Sequence, residues 1–102
     1  MAWHRVAKVT DLKDGEAQTA QLEGHSVAVF RLKGKFYAMD NRCPHRGGPL
    51  ADGHLEGDLV TCPWHAWQFD VTSGKCENAP EFGQTCYATK VEKDELWVEV
   101  KG

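Results

Sequence analysis

A chain of 102 residues makes one domain, taken as residues 1–102, with one modest core. Its net charge is −3, with acidic and basic residues interspersed. That argues against a nucleic-acid partner, because phosphate binding needs a basic surface. No apolar run approaches the roughly eighteen residues of a membrane span. The start, Met1-Ala2-Trp3-His4-Arg5, lacks a charged-then-apolar signal segment. The expectation is a soluble, cytoplasmic protein with no membrane contact.

The predicted elements are strands. Trp3 to Val9 sets Trp3, Val6 and Val9 among polar residues, and Glu16 to Leu22 is polar enough for an edge or exposed strand. Glu23-Gly24 reads as a hairpin turn into Ser26–Leu32. The apolar residues there are nearly continuous, as in a strand buried on both faces. Lys33-Gly34 is a second turn, into Lys35–Asp40. That strand delivers the chain to Cys43. Asp58–Thr61 delivers Cys62, and Trp67–Val71 alternates large apolar and polar residues as it leads away. A turn at Thr72–Lys75 follows. Thr85–Val91, a turn at Glu92-Lys93-Asp94 and Glu95–Val100 complete the pattern. The last segment has period two, which buries Leu96, Val98 and Val100 on one face and leaves Trp97 on the other, under a loop. There is no long helical pattern, repeat or low-complexity tract. Short strands punctuated by turn signals indicate an all-β antiparallel sandwich or small barrel.

The chemistry lies between Cys43 and Asp70. Cys43-Pro44-His45 and Cys62-Pro63-Trp64-His65 are two Cys-then-His pairs separated by sixteen residues. Two thiolates and two imidazoles suffice for a closed four-ligand metal site. Neither internal gap is the i, i+4 spacing of a ligand pair on one helical face, and both fit tight loops that aim two side chains at one point. Pro44 and Pro63 fix φ after each cysteine. Gly47 and Gly48 permit backbone shapes that other residues resist. With no signal segment, metal binding is a better use of cysteine here than disulfides.

The pattern Cys-x-His, sixteen residues, Cys-x-x-His resembles the signature of Rieske-type [2Fe–2S] proteins. The resemblance implies that Cys43 and Cys62 hold one iron and His45 and His65 the other. A structural zinc site is the alternative, but zinc fingers usually group Cys with Cys and His with His. Here each loop mixes one of each, which suits two chemically different irons. The resemblance implies an antiparallel β base with an inserted cluster-binding subdomain at about 42–82. Ala79-Pro80-Glu81-Phe82-Gly83 is similar to the proline-containing segment that covers the cluster in that family. High-potential members carry an extra, bridged Cys in each ligand loop, and Ser and Tyr hydroxyls near the cluster. The corresponding positions here are Gly48, Trp64, Trp67 and Phe69, so the resemblance implies a low potential.

Other residues are read more plainly. Trp64 is expected to be exposed and Trp67 packed. His54 is expected at the surface, and His4 and His25 give no metal signal. Cys76 and Cys86 are expected to be small thiols outside the site. The resemblance implies an electron carrier rather than an enzyme, a ferredoxin taking electrons from a flavin-containing reductase and passing them to a terminal oxygenase. A second reading is the small subunit of an NAD(P)H-dependent nitrite reductase, bound to the large subunit. A third is a zinc-stabilised binding module.

Overall fold

The computed structural model describes residues 2–43, 47–64, 66–79 and 83–100. Among them are ten strands and two single 3-10 turns, Val9–Asp11 and Leu50–Asp52. The strands are β1 (Ala2–Lys8), β2 (Ala17–Leu22), β3 (His25–Leu32), β4 (Lys35–Asp40) and β5 (His54–Glu56). They continue as β6 (Leu59–Thr61), β7 (Gln68–Asp70), β8 (Cys86–Tyr87), β9 (Thr89–Glu92) and β10 (Glu95–Val100). Three antiparallel sheets result, ordered β1-β10-β9, β2-β3-β4-β8 and β5-β6-β7. As the sequence implies, β2 is an edge strand. No helix among the described residues is long and apolar enough to cross a membrane.

The four-stranded sheet is the middle layer. Side chains alternate along a strand, so β3 and β4 serve two cores. Val27, Val29, Phe36 and Ala38 share a buried cluster with Leu96, Val98 and Val100 of β10. Ala28, Phe30, Leu32 and Met39 share another with Leu50, Val60, Phe69, Val71, Cys43 and Cys62. This explains the unbroken apolar run in β3, where Val27 to Phe30 are all buried. Each such large side chain contributes about 1.5–3 kcal/mol by leaving water. Arg31 reaches from the same strand to the carbonyl oxygens of Val9 and Leu12, at 3.0 and 2.8 Å. It thereby ties the first connection to the middle sheet.

Three details differ from the sequence reading. The segment Thr85–Val91 is not one strand: it breaks at Ala88, with β8 paired to β4 and β9 paired to β10. The Ala88 carbonyl accepts the Glu99 N–H at 3.0 Å, so the chain changes sheets without losing its backbone partner. His54–Glu56 is a strand rather than loop, paired with β6 through a two-residue turn at Gly57-Asp58. Trp97 lies under a side chain, not a loop. The Lys90 ammonium sits 5.8 Å from its ring centroid and 4.6 Å from that of Trp3, a cation–π arrangement.

Candidate metal centre

The two cysteines stand at the start of two loops with the same backbone pattern. The Cys43 N–H donates to the Gly48 carbonyl at 2.9 Å, and the Gly47 N–H returns to the Cys43 carbonyl at 2.7 Å. In the second loop the Cys62 N–H donates to the Trp67 carbonyl at 2.8 Å, and the Ala66 N–H returns to the Cys62 carbonyl at 3.0 Å. Each loop is thus closed four and five residues past its cysteine. The residue that closes the four-residue turn has positive φ in both cases, 75° at Gly47 and 63° at Ala66. His45 and His65 fall between these anchor points in sequence, and both lie outside the described residues.

Side chains from the flanking elements hold the loops shut. Asn41 is buried beneath the first loop. Its amide donates to Ser26 Oγ at 3.2 Å and its Oδ1 accepts the Ala51 N–H at 2.8 Å. Its backbone carbonyl takes the Leu50 N–H at 2.8 Å. On the second loop, Asn78 Oδ1 accepts the Gln68 N–H at 2.7 Å, just past Trp67. These partners were not found by sequence reasoning. Asn41 carried a weak signal, as an amide between a strand end and a Gly/Pro loop; Asn78 carried none.

The loops also touch each other. A Cβ placed on Gly48 would lie 2.8 Å from Cys62 Sγ and 3.0 to 3.1 Å from the Trp64 ring. Only a residue without a side chain permits this approach. Cys43 and Cys62 are 3% and 1% exposed, while Trp64 is 62% exposed and Trp67 packs against the core. These burial assignments agree with the sequence reading of both tryptophans. A pair of buried sulfurs on abutting, backbone-closed loops fits a cofactor that takes two thiolates and must be kept from water. Phe69, at the position that holds a Tyr in the high-potential pattern, is fully buried and brings no hydroxyl.

The remaining candidates stand apart. Cys76 is buried and Cys86 is more exposed, and no disulfide joins them. Burial first, and the Asp70 carboxylate second, push the Cys86 thiol above its ordinary range. That keeps it protonated and a poor ligand. His54 is at the surface, 3.2 Å from Glu56. His4 faces Glu23 at 3.4 Å, and His25 meets Tyr87 edge to face. Of the proline-containing segment, Pro80, Glu81 and Phe82 lie outside the described residues, while Ala79 is buried in the cluster-side core.

The chain is 36% identical over 78 residues to the ferredoxin component of the naphthalene 1,2-dioxygenase system of Pseudomonas putida, covering 76% of this chain and 75% of that one. Its fold is similar to the ferredoxin of carbazole 1,9a-dioxygenase from Nocardioides aromaticivorans IC177. There the TM-score is 0.92 and the identity 28%, over 99% of this chain and 100% of the other. A proposed NADH-dependent nitrite reductase small subunit from Mycobacterium tuberculosis shares the fold at a TM-score of 0.90 and 24% identity, over 99% and 97% of the two chains. Residues 2–93 match the model of the Rieske [2Fe-2S] domain. The chain belongs to the Rieske [2Fe-2S] family, and a [2Fe-2S] cluster is its cofactor.

Proposed function

We propose that the chain is a one-electron carrier, working in the cytoplasm, that takes electrons from a reductase and delivers them to a terminal oxygenase. Residues 42–82 form its cluster-binding unit. Cys43 and Cys62 hold one iron, and His45 and His65 hold the other. The observation that supports this most is the pair of matching closed loops that present two buried cysteine sulfurs beside an exposed Trp64. The bound cluster supplies one-electron chemistry. The chain supplies the rest. Backbone bonds at Gly47, Gly48, Ala66 and Trp67 fix where the cysteines stand. The core around Phe30, Met39 and Phe69 excludes water on the protein side. Trp64 offers an aromatic surface for a partner. The acceptor is inferred from the dioxygenase ferredoxin at 36% identity.

The test is reconstitution. Purified protein should be reddish-brown, with about two irons and two sulfides per chain. It should stimulate electron flow from a flavin reductase to a ring-hydroxylating oxygenase. A colourless protein with stoichiometric zinc would instead support the binding module. Tight co-purification with a nitrite reductase large subunit would support the second reading, which the shared fold motivates.

A further inference from the structure

Gln84 reaches two other parts of the chain, the end of β4 and the turn at Gly74. Its amide nitrogen lies 2.7 Å from the Asp40 carbonyl oxygen and 2.6 Å from that of Arg42. Both neighbours are acceptors, so the amide presents its NH2 there, one hydrogen to each. Its backbone N–H donates to the Gly74 carbonyl at 2.7 Å. The joint is tight: a Cβ on Gly74 would stand 2.4 Å from the Gln84 carbonyl oxygen and 2.7 Å from Cys86 Sγ. The place of these bonds matters. The β4–β8 ladder ends at Met39 and Cys86, and the Asp40 N–H to Thr85 carbonyl bond at 2.8 Å extends it by one residue. Past that point, at Arg42, backbone pairing to this strand stops and Cys43 follows.

We propose that Gln84 is a positioning residue for Cys43. It carries the hold of β8 beyond the end of the ladder and couples the first ligand loop to the turn at Gly74. The inference rests on the reading of Cys43 as a ligand. Neither Leu nor Glu at position 84 can donate to the two carbonyls, and Glu adds a charge that opposes them. Asn41 stays held by Ser26, Leu50 and Ala51, so losing two bonds, each worth several-fold in an equilibrium, loosens the carbonyls of Asp40 and Arg42 on either side of it and with them the approach to Cys43.

The experiment compares cluster-loaded wild type with Q84L, Q84E and G74A, and with Q18L on the exposed edge strand as control. Three readouts are taken: deuterium uptake over 40–50, g-values of the reduced protein, and the rate of iron loss to a chelator. Q84L and Q84E should exchange faster over 40–50, shift the g-values and lose iron roughly tenfold faster, consistent with two hydrogen bonds lost. G74A should do the same by pushing Gln84 away, and Q18L should match wild type. Unchanged g-values and unchanged exchange over 40–50, even with a lower melting temperature, would reduce Gln84 to a general stabiliser and overturn the proposal. A wild type without iron would sink the ligand reading. In that event, exchange over 40–50 in the same protein still decides whether Gln84 holds the segment.

Discussion

Gly48 stands where a side chain has no room. Gly48→Ala would drive a methyl to 2.8 Å from Cys62 Sγ and 3.0 Å from the Trp64 ring. The expected cost is about 1–3 kcal/mol, with less iron retained, measured by thermal unfolding and metal content. Adding Trp64→Ala should recover part of the stability but not the iron, because the clash with Cys62 remains; full recovery of both would show that only the ring matters. At Cys86 the expectation concerns pH. The native thiol is held above its ordinary range while the unfolded chain ionises normally, so stability should be intact below that range and fall as pH rises through it. Cys86→Ser should remove the lower part of this slope and leave the contribution of Tyr87, whose hydroxyl is raised by burial and then by Asp40. Melting temperatures from neutral to alkaline pH check it; identical slopes in the two proteins would contradict it. At this scale the sequence was readable where residue type alone decides burial, as at Cys43 and Cys62, small thiols that the fold buries. It was silent at Gln84, whose role comes from a carbonyl pair more than forty positions away.

The elements were legible wherever a turn punctuated them. Glu23-Gly24 and Lys33-Gly34 are two-residue hairpin turns with positive φ at both residues, 51° and 80° in one and 50° and 79° in the other. These are the turns that match the strand twist. Lys93-Asp94 has the same shape, 51° and 62°, with no glycine to relieve it. Asp94→Gly should therefore stabilise the protein by about 0.5–1 kcal/mol, seen as a higher denaturant midpoint at unchanged slope. A lower midpoint would mean that Asp94 makes a compensating contact. The break at Ala88 was not legible, because Thr85–Val91 contains no Gly, Pro, Asn or Asp to mark a turn. The change of sheet is decided by which neighbour, β4 or β10, lies alongside. Strand β5 escaped notice for another reason. Three residues are too few to establish a period, and only pairing with β6 makes them a strand.

At the scale of the molecule, the core that includes Cys43 and Cys62 and the core of β10 are both built on the middle sheet, so a metal held by those cysteines would be linked to the fold. Cys43→Ala or Cys62→Ala should abolish the cluster and lower the stability of the whole chain, measured by iron analysis and calorimetry; an unchanged melting temperature would uncouple the two. The reduction potential belongs here as well. Gly48 and Trp64 cannot form the inter-loop disulfide of the high-potential members, and Trp67 and Phe69 carry no hydroxyl. Donors to sulfur stabilise the reduced, more negative form, so their loss lowers the midpoint toward about −150 mV, the low end of the Rieske range. Film voltammetry reads it directly, and a value near about +300 mV would place the chain with respiratory members instead. The middle sheet, finally, makes the parity of a residue number informative. Along β3, even positions Ala28, Phe30 and Leu32 belong to the core that includes Cys43 and Cys62, and odd positions Val27 and Val29 belong to the core of β10. A substitution scan down this one strand should flicker between two reports. Phe30→Leu should alter visible absorption and iron retention as well as melting, whereas Val29→Ala should lower the melting temperature with the colour untouched. One strand is thus a two-channel gauge, in which adjacent residues sense opposite sides of the molecule.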